Sequence, residues 1–196
     1  MKTSLGARTL VVPTPVWVIA AFDEAGRPNA MTASWAGVCC SKPPCIAVSL
    51  RKATYTYGCI VARQAFTVNV PSASRVGEAD FLGTASGRDT DKLAALRLTA
   101  VPSDLVDAPY IGEFPLVLEC RVIHTFEIGL HTQFVGEILD VKAEAEVIGE
   151  NGLPDPLLVA PVTYAPEVRR YFGIGEEIGR AGAAGARFRA REHEPE

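Results

Sequence analysis

Val16-Trp17-Val18-Ile19-Ala20-Ala21-Phe22 runs into Asp23-Glu24-Ala25-Gly26-Arg27-Pro28-Asn29, and this junction decides the fold class. The first stretch is a short apolar run rich in β-branched and aromatic side chains, and the second is built from turn formers, so together they read as a strand and its closing turn. Ala30 to Cys39 can return antiparallel to the first strand and complete a hairpin. Further along, Ile46, Val48 and Leu50 alternate with Ala47 and Ser49, as a half-buried strand requires. Phe66, Val68 and Val70 alternate with Thr67 and Asn69, and Leu118, Cys120 and Val122 with Glu119 and Arg121. Phe134 to Val141 adds a strand of mixed pattern.

Helical signals are short and sit between the strands. Thr54 or Thr56 can cap a helix through Cys59 to Arg63, and Ser72 or Ser74 another through Val76, Ala79 and Phe81. Asp91-Lys92-Leu93-Ala94-Ala95-Leu96 is a third, with its acid first as the helix dipole prefers. Strands do not alternate with long crossover helices, which opposes a doubly wound parallel sheet. The expected fold is mainly β: a closed or split antiparallel barrel with short helical insertions.

The chain has 196 residues, 48% of them hydrophobic and 21% charged, with a formal net charge of -4. A globule of this size buries roughly 70% of its unfolded surface and needs no disulfide or metal to hold it. The acidic balance excludes general nucleic-acid binding, because no basic excess releases counterions from a phosphate backbone. It also opposes an interaction module of the OB type that grips nucleic acid in its grooves. No apolar run reaches the ~20 residues of a membrane span, and no signal-peptide pattern is visible, so a cytoplasmic protein is expected. Residues 1–178 read as one domain, and 179–196 as a Gly/Ala-rich, charged tail or an arm lying on a partner subunit.

Cys39, Cys40, Cys45, Cys59 and Cys120 contain no CxxC pair, so no metal site is expected and the thiols read as small buried hydrophobes. Phosphate-loop, dinucleotide and nucleophile-elbow motifs are absent. Instead, small polar residues gather in two places. Asn29-Ala30-Met31-Thr32-Ala33-Ser34-Trp35 sets hydroxyls and backbone donors beside an aromatic ring. Ser49-Leu50-Arg51-Lys52-Ala53-Thr54-Tyr55-Thr56 leaves a strand and enters a helix N-terminus. Free backbone N–H groups, hydroxyls and two cations suit an anion there. The plainer reading is a structural cap beside solvated charges.

Taken in order, the segments resemble a family. Pro15 to Val18, Asn29 to Trp35, Ser49 to Thr56, Phe66 to Pro71, Ser86-Gly87 with Asp91-Lys92, Leu118-Glu119-Cys120, Gly129 to Thr132 with Gly136-Glu137, and Tyr171-Phe172-Gly173 follow the sequence order of the flavin reductase-like, flavoredoxin-type FMN-binding proteins. The resemblance runs from about Pro13 to Gly179 and implies an antiparallel split barrel of Greek-key type that binds FMN and forms a homodimer. It implies that Asn29, Met31, Thr32, Ala33 and Ser34 line the flavin ring and that Ser49, Leu50 and Arg51 border the ribityl chain. Arg51, Thr54 and Thr56 would take the phosphate, with Lys52 beside them; Trp35, Lys92 and Tyr171 complete the cofactor set.

His131 is the catalytic candidate, at the place where the nicotinamide of NAD(P)H would dock. Members commonly carry Gly-Asp-His, whereas this chain has Gly129-Leu130-His131. The missing acid leaves His131 to position rather than catalyse. His124 and Trp17 read as structural. The function implied is an oxidoreductase moving electrons from NAD(P)H or a protein donor through FMN to a partner oxygenase or electron-transfer protein. The alternative is an FMN-binding carrier without NAD(P)H turnover.

Overall fold

The computed structural model describes residues 1–189. Its strands are β1 (Thr14–Pro15), β2 (Trp17–Phe22), β3 (Pro28–Ala33), β4 (Ala36–Ser41), β5 (Pro44–Arg51), β6 (Ala65–Val70), β7 (Ala100–Pro102), β8 (Pro109–Ile111), β9 (Leu116–Ile128), β10 (His131–Ala143), β11 (Thr163–Ala165) and β12 (Arg170–Phe172). Helices are α1 (Tyr55–Arg63), α2 (Val76–Thr84), α3 (Lys92–Leu96), α4 (Pro156–Val159) and α5 (Ala186–Arg189).

Seven strands form one antiparallel sheet in the order β3-β2-β6-β9-β10-β5-β4. Its two edge strands, β3 and β4, are consecutive in the chain and joined only by Ser34 and Trp35. Three extended residue steps reach at most ~10 Å, so the sheet must curl until its edges nearly meet. The backbone N–H of Ser49 donates to the Trp35 carbonyl at 2.8 Å and ties this corner to β5. The result is the expected split barrel. The single return strand expected over Ala30 to Cys39 is corrected here: the chain breaks at Ser34-Trp35, and its second half crosses to the opposite edge. No glycine or proline marks that break.

Inside the barrel, Ile19, Ile46, Phe66 and Phe134 are fully or almost fully buried. The outer face of β2, with Val18 and Ala20, is buried as well, under Leu82 of α2 and Leu93 of α3. Burial on both faces explains why β2 reads as a continuous apolar run rather than an alternation.

Thr67 and Asn69 on β6 are fully buried too, against the half-exposed reading of their alternation. The β7–β8 hairpin covers them and supplies partners. Thr67 Oγ1 donates to the Pro109 carbonyl at 2.7 Å, and the Ile111 N–H donates to Asn69 Oδ1 at 2.7 Å. A buried polar side chain is tolerated when so satisfied.

Asp91 caps α3 as expected, accepting from the Ala94 N–H at 3.0 Å. Ser72 and Ser74 bond to each other at 2.8 Å and make no cap bond to the helical turns that follow. Cys45, Cys59 and Cys120 are buried, but Cys39 and Cys40 are exposed, because β4 is a sheet edge. His124 is exposed on β9 and tilts against Phe126, so it is no core residue.

Beyond β12, Ile174 to Arg180 runs beside Ile148 to Leu158 across a groove of about 1120 Å³. The end of the tail, from position 190 and including His193, lies outside the described residues. Among the described residues no helix is long and apolar enough to cross a membrane.

Candidate functional site

Sheet closure brings distant segments to one corner. Met31, Thr32 and Ala33 end β3, Ser34 and Trp35 turn the corner, and Ser49, Leu50 and Arg51 end β5. His131 opens β10 directly opposite Arg51, and Thr54 stands where α1 begins. These ten residues line a cleft of about 210 Å³, and all ten are among the site residues expected from the sequence. Trp35 is 39% exposed, and its ring stacks on the His131 imidazole with centroids 6.4 Å apart and planes 14° from parallel.

A second cleft of about 220 Å³ shares Met31 and Thr54 with the first and adds Thr56, Lys92, the end of α2 from Leu82 and the loop that follows it to Arg88. At its mouth the first turn of α1 is open. Thr54 occupies the N-cap position with extended backbone, yet its side chain makes no cap bond. Its hydroxyl donates to the Arg51 carbonyl at 2.9 Å instead. Side chains therefore leave the first N–H groups of α1 unpaired, the arrangement that receives an anion. Arg51 is exposed and in no ion pair among the described residues, so its guanidinium is available at the same place.

The other expected residues take different places. Asn29 Nδ2 donates to Thr56 Oγ1 at 2.7 Å, and both side chains are buried. The bond fixes β3 to α1 beneath the cleft and leaves the Thr56 O–H free to donate. Lys92 is only 4% exposed. Its ammonium donates to the Leu82 and Ala85 carbonyls at 3.0 and 3.2 Å, at the C-terminal end of α2, and burial pushes its pKa down to about 8. Lys52 points to solvent and pairs with Glu127. Tyr171 belongs to the small β1-β11-β12 sheet, donates to Asp80 Oδ1 at 2.8 Å and packs on Tyr164. It lines neither cleft.

A family model described as "Flavin reductase like domain" matches residues 8–172. The chain belongs to the flavin reductase-like family. Among solved structures, flavoredoxin of Desulfovibrio vulgaris (Miyazaki F) is 53% identical with a TM-score of 0.91, covering 94% of this chain and 100% of its own. An uncharacterized protein of Archaeoglobus fulgidus is 39% identical over 115 residues, 59% of this chain and 65% of its own length. The NADPH-flavin oxidoreductase of Streptomyces viridifaciens is 31% identical over 148 residues, 74% of this chain and 72% of its own. The chain thus spans a little under two thirds of the Archaeoglobus relative.

In this flavin reductase-like chain the residue that sequence reasoning missed is Arg88. It donates to the Ala53 carbonyl at 2.6 Å, and its guanidinium lies 5.8 Å from the centre of the Tyr55 ring. It therefore brings a second cation to the open end of α1. A single arginine in a loop carries no periodic signal, so only the fold shows its place.

Tyr55 leads to the wall of the site. Its hydroxyl donates to Asp23 Oδ2 at 2.8 Å, and Arg27 Nε donates to the same oxygen at 2.8 Å. Burial pushes the Asp23 carboxyl up, but the Arg27 backbone N–H, the Tyr55 hydroxyl and the Arg27 guanidinium outweigh it and hold the pKa at about 2. Because the folded value lies below the ordinary one of about 3.9, this stabilisation is complete above that pH and is lost as pH falls towards 2. Acid titration followed by tryptophan fluorescence is expected to show Asp23→Asn losing less stability between about pH 4 and 2 than the parent does. Parallel curves would remove Asp23 from the acid response.

Proposed function

We propose that this chain is an FMN-binding oxidoreductase that holds the flavin across the two joined clefts and passes electrons from NAD(P)H or a protein donor to a partner oxygenase or electron-transfer protein. The observation that carries the reading is the uncapped first turn of α1 facing Arg51 at one end of a cleft lined wholly by the expected residues. Arg51, the first N–H groups of α1 and the Thr54 and Thr56 hydroxyls would hold the phosphate. Backbone and hydroxyl groups of Met31 to Ser34 would meet the polar ring edge, with Ser49 and Leu50 beside the ribityl chain. Bound FMN supplies the two-electron chemistry. The chain's own contribution is to orient it, satisfy its acceptor atoms and keep the stacked Trp35–His131 pair at the open side.

Two features support a homodimer in the cytoplasm. Phe126, Ile128 and Leu130 lie exposed at the tip of the β9–β10 hairpin beside the cleft, and the described cysteines are all free. Purified protein should be yellow and release FMN on denaturation. Arg51→Ala should weaken FMN binding by roughly ten- to a hundredfold, the worth of a charge-assisted hydrogen bond. A colourless protein that takes up no added FMN would refute the assignment.

The carrier reading has one observation in its favour. Leu130 is 64% exposed next to His131, whose ring is held by Trp35 and by no carboxylate among the described residues. Oxidation of NADH or NADPH by the FMN-loaded protein decides between them: turnover identifies a reductase, and reduction only by a protein or chemical donor identifies a carrier.

A further inference from the structure

Cys40 and Cys45 stand directly opposite one another on β4 and β5. Facing residues on antiparallel strands have Cα atoms ~4.5–5.5 Å apart and side chains on one face. A disulfide spans Cα separations of ~4.4–6.8 Å, so facing positions of this kind fall within its reach. The turn between the strands is closed tightly, since Ser41 faces Pro44 with only Lys42 and Pro43 between.

Exposure divides the roles. Cys40 is open to solvent, whereas Cys45 is buried and its thiol lies 3.4 Å from the Pro43 carbonyl. The first can meet an oxidant, and the second can only attack a sulfur already held beside it. Cys39 is different: the register shift between Val38 and Cys40 makes it the bulged residue, with no facing partner on β5.

We propose that Cys40 and Cys45 form a reversible cross-strand disulfide, making the β4–β5 hairpin a thiol-redox site separate from the flavin cleft. The oxidant is a low-molecular-weight disulfide such as glutathione disulfide. The Cys40 thiolate attacks one of its sulfurs, its S–S bond breaks, and one thiolate leaves and takes up the proton lost by Cys40. The Cys45 thiolate then attacks the Cys40 sulfur of the mixed disulfide and expels the second thiolate, which takes up the proton lost by Cys45. Two electrons pass from the cysteine pair to the oxidant, which ends as two thiols. The bond is easily reversed, because its exposed member is open to attack by free thiol. β4 follows directly on Trp35 and β5 ends at Arg51, so the link ties the strand that leaves the cleft corner to one that lines the cleft.

The test is oxidation of the full-length chain in glutathione buffers, followed by acid quenching, alkylation and mass spectrometry. Two of the five thiols should disappear, with a mass lower by two hydrogen atoms and a peptide joining Cys40 to Cys45. Dithiothreitol should restore all five. Cys39→Ser should keep the link, while Cys40→Ser and Cys45→Ala should each abolish it. Should the buried Cys45→Ala variant not fold, the exposed Cys40→Ser variant decides alone. Five free thiols after oxidation, a glutathione adduct as end product, a bond through Cys39, or a bond between two chains would each overturn the proposal.

Discussion

Gly87→Ala is expected to unfold at a temperature roughly 5–15 °C below the parent and to bind FMN at least tenfold more weakly. A Cβ at Gly87 would stand 2.1 Å from Asn29 Oδ1 and 2.8 Å from Tyr55 Cδ1. Neither neighbour can yield cheaply. Asn29 is held by its 2.7 Å bond to Thr56 in a buried place, and Tyr55 is held through its hydroxyl by Asp23. Displacing Asn29 leaves a buried polar pair unmet, at about 1–3 kcal/mol, and the added methyl overpacks the site by about 1–3 kcal/mol more. Together that is about 2–6 kcal/mol, which for a chain of this size gives a shift of the stated order. Flavin affinity falls with it because Thr56 and the Ala85–Arg88 loop line the cleft at the open end of α1. Gly77→Ala, inside α2 with nothing within 4 Å of the new Cβ, should instead stabilise by about 0.5–1 kcal/mol. Thermal melts and FMN titrations of both variants test the argument. A Gly87→Ala protein that melts and binds like the parent would show that the loop is free to move off Asn29.

That contrast shows what the sequence carries and what it cannot. Alternation placed Ile46–Leu50, Phe66–Val70 and Leu118–Val122 on strands, because each segment spends at least one face in the barrel. Segments of three residues such as β7, β8, β11 and β12 are too short to display a period, and all four were invisible. With β7 and β8 went the cover over Thr67 and Asn69. The corner at Ser34-Trp35 was hidden for another reason: crossing from one sheet edge to the other is a property of closure, and local residues do not encode it.

The grouping of residues around the candidate cleft was more legible than the fold around it, since a groove at a strand end collects small polar residues in recognisable clusters. Ten expected residues meet in one cleft, drawn from β3, the Ser34-Trp35 corner, β5, the N-cap of α1 and β10. What the residues did not reveal was how their side chains are spent. Thr54 turns away from the helix it heads, Asn29 donates to Thr56, and Lys92 holds the end of α2 from a buried position. Thr54 chooses between accepting from a helix N–H and donating to the Arg51 carbonyl, and the other two depend on partners seven to 27 residues away.

Gly136→Ala should cost about 1–3 kcal/mol by overpacking the interior of the barrel. Gly136 lies on β10 at a register shift, between Val122 of β9 and Ile46 of β5. The Phe66 ring rests on it: an added Cβ would meet Phe66 Cζ at 2.6 Å, Cε1 at 2.8 Å and Cys120 Cβ at 3.0 Å. Phe66 and Cys120 are fully buried and face each other across β6 and β9, so the methyl has no void to enter. The ring cannot turn aside without displacing Ile19, Ile46 or Phe134, which share its core. If the cost is this single collision, shortening the ring must relieve it. Phe66→Leu alone loses packing, as large-to-smaller core changes do, but in the Gly136→Ala background it should lose at least 1 kcal/mol less. Urea unfolding of the two single variants and the double variant measures that coupling. Strict additivity would mean that β10 itself shifts to admit the methyl, and the cleft should then move with it, because His131 lies on the same strand.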